Sequence, residues 1–468
     1  MTTLPLRREV TINRRFDEVL RYLTDFSTIE QWDPGVMEAV KVTPGPVVAG
    51  AQFDLVLDVL GKPVPMRYRM TAIDTQEQYA LLVLDGEGDG FSAHDELTLH
   101  KVSDQQTRVQ YAADLVFADT PAWTMPLLKA WGARLANKTM AGLVSALEND
   151  GVVHPGPFER MSERLVLPGM INYTRRGYRR MPSKGLSRYL DGRKVGITGV
   201  TSGLGLAAAQ QLARLGADLV VVGRNRERLA FATQQIHDFA GRQVHITCLE
   251  AELSSMADTK RLADVLQQDH QDIDVWINNA GALFNEHQLT DEGHEYTLAV
   301  NAISPAILSY RLAPQIAARG GRIINMVSGG LYSQSIHLED FNFAQEPYNG
   351  PKAYARAKRI LLDLSRYWAR QIPNVRWHIV HPGWANTPGV EKSLPGFHER
   401  LGSRLRNNRM GSDTAVWLAS HPALDDSSLS GKFWFDRAPR PTALLPGTHS
   451  LKAEVECLVA WFDGLNGA

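Results

Sequence analysis

The chain has 468 residues, of which 44% are hydrophobic and 22% charged, and its formal net charge is -1. This length exceeds what one hydrophobic core organises, so we expect two or three globular domains, and the near-neutral charge gives no reason to expect nucleic acid as a partner. The two cysteines, Cys248 and Cys457, exclude a disulfide framework and give no basis for a metal site, which favours a reducing, cytoplasmic compartment. We expect no signal peptide and no membrane span, because no apolar run has the required length.

Apolar residues at every second position are the main pattern of residues 1–150. They mark strands with one buried face, the clearest of them at 53–59, 66–70 and 109–117. Apolar residues at helical spacing predict a short helix at 16–23 and a long one at 128–147. Strands with one buried face are typical of an antiparallel sheet, so we predict an α+β domain in which the helices cover one side of the sheet.

The order of these elements resembles a known family. An opening strand, Arg8-Glu-Val-Thr-Ile-Asn13, precedes the first helix, Trp32-Asp-Pro34 follows it, and an amphipathic helix ends the stretch. In these features residues 5–150 resemble the START-like superfamily that includes polyketide cyclases and dehydrases. The resemblance implies a helix-grip fold, in which the sheet wraps the long helix and leaves an apolar cavity for a lipid or polyketide-like ligand.

One strand of this domain carries His94, Glu96 and His100 on one face. These residue types could bind a metal, but their face lies opposite the apolar residues of the same strand, which are Phe91, Leu97 and Leu99. A solvated strand face is the simpler interpretation. We therefore predict no metal site and assign the domain ligand binding without chemistry.

Residues 151–190 form a predicted basic connector. Its prolines, which break regular structure, are Pro155, Pro157, Pro168 and Pro182. Its basic residues, interleaved with Tyr173, Tyr178 and Tyr189, are Arg160, Arg164, Arg175, Arg176, Arg179, Arg180, Lys184 and Arg188. The pattern fits a weak contact with an acidic membrane or a partner. It also fits a solvated helix packed between domains with buried tyrosines, which we favour because apolar residues are few.

From residue 191 to 468, apolar strands alternate with helical segments. The predicted strands lie at 195–197, 218–222, 244–249, 274–277, 322–326, 375–380 and 432–435. Strands rich in Val, Ile and Leu with helices between them predict a Rossmann-type, doubly wound parallel sheet and an α/β domain.

The first of these strands runs into a glycine turn, Thr198-Gly-x-x-x-Gly-x-Gly205, followed by a helical segment at 206–215. Free N–H groups at a helix N-terminus favour an anion, and missing Cβ atoms allow the backbone to approach it. This geometry predicts a dinucleotide pyrophosphate site. Arg224 ends the second strand, where an NAD site usually carries Asp or Glu, and an arginine can pair with a phosphate, so we predict NADP(H).

Tyr354 and Lys358 are four residues apart and lie on one face of a predicted helix. A free tyrosine has a pKa of about 10, which makes it a poor proton donor or acceptor at neutral pH. A nearby ammonium and a cationic nicotinamide would lower that pKa, because both favour the phenolate.

These features together resemble the short-chain dehydrogenase/reductase family over residues 191–440. The motifs, in the order and spacing of that family, are Thr198-Gly-x-x-x-Gly-x-Gly205, Asn278-Asn-Ala-Gly281, Asn301, Ser328, Tyr354 with Lys358, and Pro382-Gly383. Val327-Ser-Gly-Gly330, the stretch 381–390 and the connector's Tyr173-Thr-Arg-Arg-Gly-Tyr178 are similar to its retinol-dehydrogenase-like, member-twelve-type branch.

The resemblance implies a catalytic set of four residues. Ser328 would orient the substrate oxygen, and Tyr354 would exchange a proton with it. Lys358 would bind the nicotinamide ribose and favour the phenolate, and Asn301 would hold a water that links Lys358 to solvent. The implied cofactor-binding residues are Thr198, Gly199, Ser202, Gly203, Leu204, Gly205, Arg224, Glu252, Leu253, Asn279, Ala280, Gly281, Tyr354, Lys358, Pro382, Gly383 and Thr387. Among them, residues 279–281 would flank the adenosine side, and Thr387 would lie near the nicotinamide carboxamide.

Three positions depart from the family pattern. Glu252 replaces the usual Asp that reads the adenine, which puts that contact in doubt. Val327 replaces the first of two paired serines, and Ser304 stands where the family often has glycine. The four catalytic residues are all retained.

Residues 386–412 cover the stretch that usually closes over substrate. Its apolar residues, spaced among charged ones, are Val390, Leu394, Pro395, Phe397 and Leu401. This composition favours an amphipathic lid over an apolar substrate, with Leu331, Tyr332 and Trp384 as further apolar walls.

We therefore expect an NADP-dependent oxidoreductase that interconverts a carbonyl and an alcohol on an apolar, lipid or polyketide-like molecule, which the N-terminal domain binds or delivers. Two alternatives remain: a ligand-binding or scaffold protein with an NADP domain that does not turn over, and an NADP-linked epimerase or dehydratase. The fold often pairs through the helix that carries Tyr354, so we expect a homodimer.

Overall fold

The structure is a computed structural model that describes residues 2–59, 62–118, 125–148, 171–181, 185 and 189–467. Contacts divide the chain into two compact units, the first of Met1–Gly151 with Pro182–Ser187 and the second of Val152–Met181 with Arg188–Ala468. None of the helices within the described ranges is both long and apolar enough to cross a bilayer. The connector residues that lie outside the described ranges are Pro155, Pro157, Arg160, Arg164, Pro168, Pro182, Lys184 and Arg188.

Within its described residues, the first unit is an antiparallel sheet with three α-helices. Its strands are β1 Thr2–Ile12, β2 Val36–Lys41, β3 Gln52–Val59, β4 Lys62–Thr75, β5 Tyr79–Gly88, β6 Phe91–Ser103 and β7 Gln106–Phe117. Its helices are α1 Phe16–Thr24, α2 Ile29–Trp32 and α3 Met125–Glu148. The strand order is β1-β7-β6-β5-β4-β3-β2, and every neighbouring pair is antiparallel. The predicted α+β fold is confirmed.

The long helix α3 packs on the sheet at a glycine. A Cβ on Gly132 would lie 2.8 Å from Leu4 Cδ2, so the missing side chain lets α3 approach β1 closely. On β6 the predicted alternation is also confirmed, since Phe91, Leu97 and Leu99 are buried. His94 lies on the other face, where its Nδ1 is 2.6 Å from Asp85 Oδ1.

The second unit contains an eight-stranded sheet. Its strands are β8 Lys194–Thr198, β9 Asp218–Gly223, β10 Ile246–Glu250, β11 Val275–Asn278, β12 Arg322–Met326, β13 Arg376–Val380, β14 Lys432–Phe435 and β15 Ala438–Arg440. Its helices are α4 Arg175–Arg179, α5 Gly203–Arg214, α6 Arg226–Ala240, α7 Met256–Asp269, α8 Tyr296–Leu298, α9 Ser304–Ala318, α10 Gly350–Gln371, α11 Pro388–Ser393, α12 Pro395–Leu401, α13 Asn408–Ser420 and α14 Lys452–Gly467.

The strand order of this sheet is β10-β9-β8-β11-β12-β13-β14-β15, with β8 to β14 parallel to their neighbours and β15 antiparallel to β14. The predicted Rossmann-type sheet is confirmed. The order reverses between β8 and β11, and in such sheets ligands bind at the carboxyl ends of the strands on either side of this reversal. Those ends are Thr198 and Asn278.

Two local features differ from the sequence prediction. Helix α5 begins at Gly203 and not at residue 206, because the last two glycines of the turn already belong to its first turn. Strand β15 was not predicted. It follows a tight turn in which Asp436 and Arg437 have φ angles of 52° and 57°. This left-handed conformation is uncommon for residues other than glycine, so the sequence does not predict the turn.

Candidate active site

The glycine turn after β8 has the backbone that only glycines adopt easily. Gly199 and Gly203 have φ angles of 75° and 60°. A Cβ on Gly205 would overlap the Gly199 carbonyl, so the third glycine lets α5 start directly against the turn. Ser202 precedes α5 and its side chain makes no capping hydrogen bond, which leaves the first N–H groups of the helix available to an anion. Leu204 anchors the same turn, because a Cβ on Gly411 of α13 would lie 2.5 Å from Leu204 Cδ2.

The segment after β11 is fastened to this turn. Asn279 Nδ2 donates to the carbonyl oxygens of Thr198 at 2.9 Å and Gly199 at 3.2 Å. Thr198 Oγ1 in turn accepts from the backbone N–H groups of Asn279 at 3.1 Å and Ala280 at 3.0 Å. The predicted cofactor-binding residues of β8 and β11 therefore form one rigid edge at the sheet reversal. The side-chain amide of Asn279 therefore holds the two segments together through its hydrogen bonds to Thr198 and Gly199.

Gly281 separates this edge from the catalytic residues. A Cβ on Gly281 would lie 2.8 Å from Asn301 Oδ1 and 3.4 Å from Lys358 Nζ. Asn301 lies in a π-helical turn, Ala299–Ile303, and such turns occur often at functional sites. Its Nδ2 donates to the carbonyl of Ala282 at 2.6 Å, so the amide ties this turn to the loop after β11.

Tyr354 and Lys358 lie on α10, as predicted. Lys358 is buried, its Nζ donates to the carbonyl of Met326 at 3.0 Å, and it lies 5.6 Å from the centre of the Tyr354 ring. Burial lowers the pKa of Lys358 to about 7 and raises the pKa of Tyr354 to about 12. In the free protein the Tyr354 pKa is therefore raised and not lowered, because the side chain is buried.

Ser328 follows β12 and lies beside the turn of α10 that carries Tyr354. A Cβ on Gly330 would lie 3.7 Å from both Ser328 Oγ and Ala355 Cβ. Ser328 Oγ accepts from the Gly330 N–H at 3.3 Å, a long bond that leaves the hydroxyl hydrogen free to rotate. Val327, which replaces the other serine, is buried in an apolar cluster with Leu331, so that position contributes packing.

Arg224 and Glu252 follow the neighbouring strands β9 and β10, and their side chains lie close to each other. Their side chains are 66% and 42% exposed, and Arg224 Nη1 lies 3.9 Å from Glu252 Oε2. A pair this exposed contributes little stability, so both groups can rearrange around a ligand. The unexplained Ser304 is buried, and its Oγ donates to the carbonyl of Leu253 at 2.6 Å, which fixes the backbone next to Glu252.

The Pro382-Gly383 turn closes the site at the end of β13. Gly383 has a φ angle of 76°, and a Cβ there would lie 2.5 Å from Arg406 Nε. His381 Nδ1 accepts from the N–H groups of Gly329 at 3.1 Å and Gly383 at 3.3 Å, which joins this turn to the one after Ser328. Thr387 follows, and a Cβ on Gly203 would lie 3.5 Å from Thr387 Cβ. Thr387, the last of the predicted cofactor-binding residues along the chain, therefore lies against the glycine turn that contains the first of them.

Sequence reasoning missed an anchor formed by the connector. Arg406 is 1% exposed and pairs with both carboxylate oxygens of Asp436, at 2.6 and 2.8 Å. Its guanidinium also donates to the carbonyls of Asn172 at 2.7 Å and Tyr173 at 3.0 Å, and Tyr173 O accepts from the Trp384 N–H at 2.8 Å. The Tyr173 ring is 4.7 Å from that of His381. This half of the connector is therefore part of the wall behind Pro382-Gly383.

The predicted lid consists of α11, α12 and a short 3-10 turn. Neither α11 nor α12 has a fully buried residue. The ring of Phe397 lies edge-on to that of Trp384, with the ring centres 5.2 Å apart. Ser393 Oγ donates to the carbonyl of Leu283 at 2.9 Å, so the lid contacts the loop that follows Gly281. An apolar surface that is only partly covered suits a lid over an apolar substrate.

Each of the two parts of the chain is similar to a known family. Residues 193–396 match the family described as "short chain dehydrogenase", and residues 4–148 match "Polyketide cyclase / dehydrase and lipid transport". Dehydrogenase/reductase SDR family member 12 of Bos taurus is 35% identical over 306 residues, which are 64% of this chain and 95% of that protein. Retinol dehydrogenase 14 of Mus musculus is 29% identical over 265 residues, 53% of this chain and 78% of that protein. A solved 3-oxoacyl (acyl-carrier-protein) reductase from Agrobacterium tumefaciens with NADP bound is 24% identical, with a TM-score of 0.44 over 53% of this chain and 93% of that chain.

Proposed function

Since this chain belongs to the short-chain dehydrogenase/reductase family and is therefore an oxidoreductase of carbonyl and alcohol groups, we propose that it uses NADP(H) and acts on an apolar, lipid or polyketide-like molecule. The START-like resemblance of the N-terminal residues is confirmed by the family match over 4–148. We assign that part the binding or delivery of the apolar ligand.

One observation carries the proposal for the second unit. Asn301 Oδ1 and Lys358 Nζ both lie within contact distance of the position that a Gly281 side chain would fill. The same glycine follows the edge made by Thr198 and Asn279. A glycine that leaves space between a nucleotide-binding edge and two buried polar groups is suited to a nicotinamide ribose.

The residues of the site suit two parts of the dinucleotide, the pyrophosphate and the 2′-phosphate. The Gly199–Gly205 turn would hold the pyrophosphate on the first N–H groups of α5, and Thr387 lies beside that turn. Arg224 would pair with the 2′-phosphate, because its guanidinium is exposed at the end of β9 and is only loosely held by Glu252.

In the proposed reaction, bound NADPH supplies a hydride to a carbonyl carbon, or NADP⁺ accepts one from an alcohol. Ser328 Oγ would donate to the substrate oxygen, and Tyr354 Oη would give or take its proton. Lys358 would hold the ribose hydroxyls with the donors that Met326 O leaves free, and its charge would favour the Tyr354 phenolate. Asn301, fixed by Ala282, would position a water toward Lys358.

The proposal is tested by following NADPH absorbance with a series of aldehydes and ketones of rising chain length. We expect steady consumption with the apolar members, and consumption slower by about 10²–10⁴-fold with Tyr354→Phe. Substrate conversion without net loss of NADPH would instead indicate an epimerase or dehydratase, and no conversion of any compound would indicate a binding protein.

Cytoplasmic location and homodimer formation remain proposals. Helix α14 packs on α9 and α10, with the Phe462 ring 5.1 Å from Trp368 and 5.8 Å from Tyr310. A dimer that pairs through α10 would therefore use the face that α14 leaves uncovered. Sedimentation of the purified chain at several concentrations distinguishes monomer from dimer.

A further inference from the structure

A cluster of polar side chains lies inside the apolar core of the first unit. It consists of Asp95 on β6, Tyr68 on β4, Tyr111 on β7 and Asp33 after α2. Asp95 is 1% exposed, and its Oδ1 accepts from the Tyr111 hydroxyl at 2.5 Å. Its Oδ2 has no hydrogen-bond partner among the residues that the structure describes.

Asp95 lies on a strand face that is otherwise apolar. The residues that share its face of β6 are Phe91, Ala93, Leu97 and Leu99, and all are buried. Burial raises the pKa of Asp95 to about 6, opposed by hydrogen bonding with Tyr111 and with Tyr68. A buried carboxyl oxygen without a donor is costly, and such groups in native proteins are concentrated at functional sites.

The sheet also makes room for this cluster. Gly86 on β5 is paired with Tyr68 on one side and with Ala93 on the other. A Cβ on Gly86 would lie 2.5 Å from Tyr68 Cζ, so the missing side chain lets the phenol ring cross β5 toward β6. Burial raises the pKa of Tyr68 well above its usual value, and the charge of Asp95 and hydrogen bonding with Asp95 raise it further.

Aromatic rings surround the cluster on the apolar side. Trp32 lies edge-on to Tyr111 with the ring centres 6.0 Å apart, and Phe26 is 5.2 Å from Tyr68. Asp33, the other acid, already accepts from the Gly35 N–H at 2.7 Å. Asp95 Oδ2 is therefore the acceptor that the cluster offers to a further group.

We propose that Asp95, with Tyr68 and Tyr111, is the polar end of an interior binding site for an apolar molecule that carries one O–H or N–H donor, and that Asp95 Oδ2 accepts this donor. The inference rests on the ligand-binding role proposed for the first unit. The further requirement is that the ligand carries a hydrogen-bond donor at one end, which a purely apolar binding site would not demand.

The test compares two probes of similar size on the full chain, 1-decanol and its donor-free counterpart 1-methoxynonane, by calorimetric titration. A hydrogen bond to a buried carboxylate changes affinity by about ten- to a hundredfold, so we expect decanol to bind that much more tightly. Asp95→Asn, which keeps the side-chain shape, and Asp95→Leu should each reduce the difference to less than about threefold. Any contribution of the second unit is the same in the wild type and in both variants, so the change in preference reports on Asp95.

Asp114→Asn is the matched control, because Asp114 lies on the neighbouring strand and pairs with Arg7 at the surface. It should keep the preference for decanol. Equal affinity of the wild type for both probes would overturn the inference while leaving ligand binding by the first unit intact, and it would mean that water alone satisfies Asp95. Absence of any binding of either probe would overturn both.

Discussion

Lys358 donates from Nζ to the main-chain carbonyl of Met326 at 3.0 Å, and this bond joins the helix of Tyr354 to the strand that leads into Ser328. The ammonium therefore has a structural contact as well as its two proposed roles toward the ribose and Tyr354. Lys358→Met should lower turnover and NADPH affinity together, each by about tenfold or more, because charge-assisted hydrogen bonds are lost.

Kinetics and NADPH titration of this variant check both effects. Lys352→Met provides the control, since Lys352 lies on the same helix but pairs with Glu346. If Lys358→Met altered turnover alone, the ribose contact would be wrong.

Arg224 should select the cofactor. Arg224→Ala removes the guanidinium at the end of β9, and NADPH affinity should fall by about ten- to a hundredfold while NADH affinity changes little. Fluorescence titration with both cofactors measures the ratio. Arg228→Ala, which removes another exposed arginine close by on α6, should leave the ratio unchanged. Equal losses for NADPH and NADH would contradict the assignment.

The Arg406–Asp436 pair should be essential to the wall behind Pro382-Gly383. Arg406→Met removes the guanidinium that pairs with both carboxylate oxygens of the buried Asp436, and breaking such a pair costs about 3–5 kcal/mol of unfolding free energy. Denaturant unfolding measures this loss. Arg404→Met, at an exposed position of the same segment, should cost less than about 0.5 kcal/mol. Similar stabilities of the two variants would show that the anchor is dispensable.

Asp95 should make the first unit less stable as the pH rises. Its folded pKa of about 6 lies above the ordinary value of 3.8, so its contribution to stability is fully present below about pH 4 and is lost as the pH rises through 6. The titratable groups that face it are Asp33, Tyr68 and Tyr111, with His94 on the other face of its own strand. Asp33 has a pKa raised in the same direction, so part of the slope will remain without Asp95.

Hydrogen exchange of β6, corrected for intrinsic rates, measures this between about pH 5 and about pH 8. Asp95→Asn should gain protection relative to the wild type as the pH rises. Asp114→Asn should show a constant difference, because the hydrogen bond from Arg7 holds the pKa of Asp114 below its usual value, outside this range. Parallel profiles of Asp95→Asn and the wild type would contradict the raised pKa.

Local patterns were sufficient to predict much of the fold. The strands 322–326 and 432–435 have the predicted bounds. Short, mainly apolar segments between helices are the pattern of buried parallel strands, and this pattern determines where such strands begin and end. The inward position of Asp95 on β6 was not predicted as part of a site, because its partners on β4 and β7 come from residues far along the chain. The domain boundaries at 150 and 190 remain predictions.

The candidate site was predictable in its motifs but not in its electrostatics. The glycines and the Tyr354/Lys358 spacing are local signals, whereas the opposite pKa shifts of these two residues depend on burial that the sequence does not reveal. The Arg406 anchor joins residues more than two hundred positions apart, and no local pattern points to it. Long-range polar contacts of this kind require the structure.

Tyr354→Phe deletes only the hydroxyl and therefore isolates the proton exchange that we propose between Tyr354 and the substrate oxygen. With an apolar carbonyl substrate and NADPH, kcat should fall by about 10²–10⁴-fold while the NADPH dissociation constant changes by less than about threefold. Tyr367→Phe, on the same helix, should retain wild-type values for both. Near-normal turnover of Tyr354→Phe would mean that another group exchanges the proton.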